Sequence, residues 1–265
     1  MKINNLLKAA NILFKHKLNC SGLKSLPKNC IPKNTTEAYC IQNLLKNNYL
    51  TLKENFSIGK KVGCTNKKAQ EQINVNEPFY GNLFFKYSSI SGCNLSSKNF
   101  FQPYLEPEIA FKIKNDININ KAPFNNVDFY NLIDKILPCI EIVDFRFTKN
   151  LKKIGINNLI ATNGASDYWI RSEKFYNAKK YDLNDHEVKV YINNKLIEIG
   201  NTKSVLNNPV NSALWIINKL ALNGEPLLKD QYISTGTCTK AIPIYPGNII
   251  KADFGTLGKV EINYI

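Results

Sequence analysis

The chain has 265 residues, of which 44% are hydrophobic and 11% aromatic, a composition that supports a sizeable core and excludes a disordered chain. Its net charge of +14 rests almost wholly on Lys, with Arg only at Arg146 and Arg171. A dispersed Lys surface without Arg, stacking motifs or finger spacings argues against a nucleic-acid partner.

Seven Cys residues with no C-x-x-C fit a reducing compartment. No run approaches the apolar length of a membrane span. A cytoplasmic protein without a membrane partner is the expectation. In chain order, Leu6, Leu7, Ala10, Leu13 and Phe14 predict a helix over 3–18. Gly22, Pro27 and Pro32 mark a loop over 19–34. A second helix opens near Thr35, with Ala38, Ile41, Leu44 and Leu45 as its stripe. The first 50 residues thus read as a helical layer.

From Ile58 the period changes. Residues 60–65 read as a strand ending in a glycine turn, 66–74 as a short helix, and Pro78 and Gly81 as a turn. Residues 105–113 alternate as a strand. A helix over 124–138 leads into a strand over 136–147, followed by a loop over 148–166. Residues 188–200 read as a hairpin turning at Asn193-Asn194. Pro209 and Gly224 bracket a helix, and the tail alternates strands and turns. With no repeat and no linker, the economical reading is one domain over 1–265. It comprises a helical layer at 1–50 and a β-rich core at 51–265.

Glu106 and Glu108 are two residues apart in the strand-like run 105–113, so both leave one face. Glu141 lies between Ile140 and Ile142. A single strand Glu is ordinarily solvated. Carboxylates set into apolar strands are otherwise paired or bound to a cation, and all-oxygen ligands suit a hard divalent metal.

The motifs AYCIQ (38–42), KKVGCTNKKAQ (60–70), GNLFF (81–85), QPYLEPEIAFKI (102–113), PCIEIVDFRF (138–147), LIATN (159–163), ALWIINKLA (213–221) and TGTCTKAIPIYPGNIIKADFGTLGKV (235–260) cover nearly the whole chain in one order. In them the sequence resembles the 2-oxo-4-pentenoate (2-hydroxypenta-2,4-dienoate) hydratase family of the fumarylacetoacetate hydrolase superfamily. The resemblance implies an α+β fold, a mixed rolled β-structure like the C-terminal part of fumarylacetoacetase with helices packed outside, in homo-oligomers. It implies Mg²⁺ or Mn²⁺ on Glu106, Glu108 and Glu141, engaging the carboxylate and 2-oxo group of a small 2-oxo acid. Lys61 becomes the candidate catalytic residue, and the Thr235-Gly236-Thr237 turn a candidate holder of the substrate carboxylate. Arg146 is a candidate to orient a carboxylate, with a structural ion pair as its alternative.

Three departures stand against the family pattern. Phe79 occupies the position of an acid in Pro-Asp-(Phe/Tyr)-Gly, and Thr162 that of the acid in Ala-Asp-Asn. His16 and His186 fall outside every motif. Glu77 is close enough in sequence to replace the missing acid. The expected activity is a metal-dependent, hydratase-like lyase. A decarboxylase, an acylpyruvate-type C–C hydrolase and a non-catalytic binding descendant are the alternatives.

Overall fold

The computed structural model describes residues 1–67, 70–71, 74–148 and 151–265. Helix α1 (Ile3–Leu18) buries Leu6, Ala9, Ala10 and Leu13. Helix α2 (Thr35–Leu50) is capped by Asn34, whose side chain accepts the Glu37 N–H, and buries Ala38, Ile41, Leu45 and Tyr49. That cap satisfies one of the orphan donors of the first turn. The two helices share an apolar cluster with Phe79, Phe84, Leu159 and Ile160, so the helical layer expected from the stripes is present.

The strands are β1 (Ser57–Gly63), β2 (Phe79–Phe84), β3 (Ser88–Ile90), β4 (Cys93–Leu95), β5 (Pro103–Ile113), β6 (Ile133–Asp144), β7 (Ser166–Arg171), β8 (Tyr176–Asn177), β9 (Glu187–Ile192), β10 (Lys195–Asn201), β11 (Tyr232–Thr237), β12 (Ile242–Pro243), β13 (Asn248–Asp253) and β14 (Lys259–Tyr264). One sheet runs β2-β1-β11-β5-β6-β7-β3, with β12 on β5 and β8 on β6; the second runs β10-β9-β13-β14-β4. Both mix parallel and antiparallel neighbours. Helices α3 (Asn126–Leu132), α4 (Leu151–Ala161) and α5 (Pro209–Leu222) complete the α+β architecture. Ile109, Phe111, Ile113, Ile140 and Ile142 belong to the main core between sheets and helices.

Three expectations are corrected, the first being the turn between Pro78 and Gly81, where residues 79–84 form β2. The helix expected over 124–138 ends at Leu132, and Ile133 to Leu137 instead open β6. Ile133, Ile136 and Leu137 fit either period, and their pairing with β5 and β8 decides the matter. Part of the expected loop over 148–166 is α4, kinked where Gly155 takes φ 76°. Its Leu159, Ile160 and Ala161 bury against the N-terminal layer. The short helix expected over 66–74 falls partly on 68, 69, 72 and 73, which lie outside the described residues. The Asn193-Asn194 hairpin forms as read, with φ 52° and 63°.

Candidate metal centre and active site

The site is built on the β5–β6 ladder. Alternation along β5 puts Glu106 and Glu108 on one face, and the antiparallel register sets Glu106 directly opposite Glu141. Ligand oxygens of the three carboxylates all lie within 4.8 Å of one another. Glu108 and Glu141 are fully buried, and Glu106 is half-buried.

Glu108 is oriented through one oxygen. Its Oε2 accepts from Ser234 Oγ at 2.6 Å and from the Gly236 N–H at 3.1 Å. Among the described residues its Oε1 has no hydrogen-bond partner, and neither has either oxygen of Glu141. Buried acceptors are normally satisfied, so three buried oxygens without a hydrogen bond on two neighbouring carboxylates require explanation. Burial, followed by the neighbouring Glu141, pushes the Glu106 carboxyl up to about 7. The same two causes, with Glu106 added, raise Glu108 well above the usual carboxylate range. A divalent cation would satisfy the bare oxygens and cancel the repulsion, and an all-oxygen donor set suits Mg²⁺ or Mn²⁺. The residues present fit such an ion.

Lys61 comes to the same place from β1, which pairs in parallel with β11 so that Lys61 stands opposite Ser234. It is 2% exposed, a rare degree of burial for Lys without a partner. Its Nζ donates to the Gly164 carbonyl at 2.7 Å and lies 3.4 Å from Glu141 Oε2. The Phe79 ring centre is 5.3 Å from the same ammonium. Phe79 packs so closely on Gly164 that a Cβ there would come within 2.6 Å of the ring. Position 79 is therefore an apolar wall beside Lys61.

The remaining candidates divide. Thr235 Oγ1 donates to the Ile109 carbonyl at 2.7 Å, on the opposite face of β11 from Glu108. The Gly236 N–H is taken by Glu108. Gly236 has φ 107°, and a Cβ there would meet Thr65 Oγ1 at 2.2 Å, so only glycine brings that N–H to the carboxylate. Of the donors that Thr235 and Gly236 were expected to offer a substrate, the Thr235 hydroxyl and the Gly236 N–H thus have protein partners. Thr237 is half-buried, its hydroxyl accepting the Thr239 N–H at 3.3 Å.

Arg146 forms the structural ion pair that was its alternative. Its guanidinium pairs with Asp144 at 3.0 Å and with Asp167, which also takes Lys17 of α1. Four buried charges, Lys17, Asp144, Arg146 and Asp167, thus meet in one cluster. Glu77 does not replace the missing acid, because it sits at the surface with Lys219 3.2 Å away. Thr162 Oγ1 donates back to the Leu159 carbonyl at the end of α4. His186 meets the Phe254 carbonyl and His16 meets Ser21.

Sequence reasoning missed Ser234, which donates to Glu108 and receives the Trp169 Nε1–H at 3.0 Å. The signal was present: Ser234 precedes Gly236 by two, so strand period puts both on the Glu108 face.

No family model matches the chain. It is 27% identical over 213 residues to a 2-oxo-hept-4-ene-1,7-dioate hydratase of Escherichia coli, spanning 78% of each chain. It is 28% identical over 213 residues to a 4-oxalocrotonate decarboxylase of Pseudomonas putida, covering 78% of this chain and 77% of the relative. A 2-keto-4-pentenoate hydratase of Paraburkholderia xenovorans is 23% identical over 232 residues, covering 87% and 84%. Among solved structures, 4-oxalocrotonate decarboxylase from Pseudomonas putida G7, complexed with magnesium and adipate, superposes with a TM-score of 0.92 at 24% identity. That match covers 100% of this chain and 99% of the other. Fumarylpyruvate hydrolase from Pseudomonas aeruginosa, in complex with Mn²⁺ and pyruvate, gives a TM-score of 0.59 at 8% identity, covering 78% and 88%.

Proposed function

We propose, for a chain homologous to the 2-keto-4-pentenoate hydratases and 4-oxalocrotonate decarboxylases and folded as proteins of the fumarylacetoacetate hydrolase superfamily, that it is a divalent-metal-dependent lyase acting on a small 2-oxo acid. The observation that carries this is the convergence of three carboxylates, two of them buried with unpartnered oxygens, beside a buried lysine. Glu106, Glu108 and Glu141 would hold Mg²⁺ or Mn²⁺, which when bound supplies a Lewis acid for the substrate's carboxylate and 2-oxo oxygen. Ser234 and the Gly236 N–H keep Glu108 aimed. Lys61, with its ammonium anchored on Gly164, brings positive charge and a transferable proton to the side where enolate charge develops. Phe79 keeps water from that side. Thr237 is the remaining candidate from its turn for the substrate carboxylate. An assembly of identical copies in the cytoplasm belongs to the same reading.

Hydration is the first reaction of choice, and decarboxylation is a second reading that one observation favours. Adding water requires a group to take the proton of water besides the group that protonates carbon. Loss of CO₂ requires only the return of a proton to the dienolate. Position 79 is Phe, Thr162 is bonded to its own helix and Glu77 lies at the surface, so Lys61 is left to move protons alone. The purified protein with Mn²⁺, given 2-hydroxypenta-2,4-dienoate, unsaturated 2-oxo dioates and acylpyruvates, distinguishes these outcomes. Water addition, CO₂ release and C–C cleavage yield different products. Turnover that survives chelation of the metal would overturn the metal-dependent reading. Metal binding without any turnover would favour a binding protein.

A further inference from the structure

Asn163 is 2% exposed and lies just past the end of α4, in a tract where Asn163, Gly164 and Ala165 take φ 60°, 63° and 60°. Three consecutive left-handed residues, two of them not glycine, do not hold themselves in place. The holding group is the Asn163 side-chain amide. Its Oδ1 accepts the Asn82 backbone N–H at 2.7 Å and Asn82 Nδ2–H at 3.0 Å, and its Nδ2 donates to the Asn82 carbonyl at 2.9 Å. Strand β2 is an edge strand, and the amide pairs its outward backbone groups as a further strand would. Gly81 admits this approach, since a Cβ there would meet the Asn163 carbonyl at 2.4 Å.

The tract delivers one group to the site, the Gly164 carbonyl that receives Lys61 Nζ at 2.7 Å. Asn82 is itself fixed by the other lysine of the pair, with Lys60 Nζ 2.8 Å from its Oδ1 and 2.7 Å from Glu225. We infer that Asn163, seated on Asn82, is a positioning residue for Lys61: it holds the carbonyl that keeps the Lys61 ammonium off Glu141 with a donor to spare. An ammonium has three donors. With one on Gly164 and Glu141 at 3.4 Å, the geometry leaves another for a substrate. Without that carbonyl the ammonium keeps only the looser contact with Glu141 Oε2 at 3.4 Å.

This inference rests on the proposed role of Lys61, and its test separates the two. Asn163→Gly tolerates positive φ and removes only the amide. In the Mn²⁺-loaded protein, acetylation of Lys61 by acetic anhydride, mapped by mass spectrometry against exposed Lys53, is expected to speed up. On whichever 2-oxo acid the wild type turns over, kcat is expected to fall about 10- to 100-fold, with KM and Mn²⁺ affinity near wild type. Asn82→Ala spares the two backbone bonds and should move the same readouts less. If Asn163→Gly does not fold, Asn82→Ala decides alone. Unchanged Lys61 acetylation, or a loss shared equally by KM and Mn²⁺ affinity, overturns the inference. A wild type that turns over no 2-oxo acid sinks the functional reading, while the acetylation comparison still decides whether Asn163 positions Lys61.

Discussion

Glu108 carries two donors on one oxygen and none on the other, an arrangement that aims the free oxygen. Glu108→Gln removes one of three mutually repelling carboxylates, two of them fully buried, so the metal-free fold should be no less stable. Mn²⁺ affinity, read by calorimetry, should fall sharply. Ser234→Ala leaves the ligand but loses its orienting hydroxyl, and a loss of about 10- to 100-fold in affinity is expected. A variant of Glu108 that fails only by unfolding would count against the ligand role. Lys61→Ala should cut kcat by about 10²- to 10⁴-fold while Mn²⁺ still binds; unchanged turnover would make Lys61 a purely structural buried cation. Phe79→Asp places a titratable group next to Lys61 and should raise hydration of 2-hydroxypenta-2,4-dienoate. Brisk wild-type hydration with no gain in the variant would show that position 79 does not divide the reactions.

At the scale of elements, α1 is fastened to the sheet by charge as well as by its apolar stripe. Lys17 reaches Asp167 on β7, and its ammonium lies 4.2 Å from the Tyr87 ring centre. Lys17→Met leaves Asp144 and Asp167 facing Arg146 alone. An uncompensated buried charge costs about 3 kcal/mol, which urea unfolding would register. Hydrogen exchange should show faster opening over 3–18 with β5 and β6 still protected. A loss spread evenly over both would mean that α1 does not open as a separate unit. α1 and α2 were legible because their apolar spacing is local. Helix α4 was not, because Gly155 interrupts its pattern and its burial depends on α2, more than a hundred residues earlier.

For the whole molecule, the buried carboxylates link stability, pH and metal. Glu106 has its carboxyl raised to about 7 from 4.5, so the metal-free folded state binds this proton more tightly than the unfolded chain does. That contribution to stability is complete below about 4.5 and is lost as pH rises through about 7. The metal competes with the same proton, so its affinity rises across that window. Thermal unfolding should therefore show a larger gain from Mn²⁺ at about pH 8 than at about pH 6. At a hundredfold excess over Kd the gain is about 2.7 kcal/mol. An equal gain at both pH values would separate the ion from these glutamates.

Strand alternation alone placed Glu106 and Glu108 on one face, because side chains reverse with each residue whatever lies alongside. Capping Asn residues, Pro209 and the Asn193-Asn194 turn likewise act within a few positions of themselves. Nothing local names a neighbour, so only the folded chain set Glu141 across from Glu106 and brought Lys61 beside Ser234 through a parallel pairing. The same holds for charges whose partners lie far away in sequence. Arg146 found Asp167 and Glu77 found Lys219, since the cost of burying or pairing a charge is decided by which groups tertiary packing brings within reach.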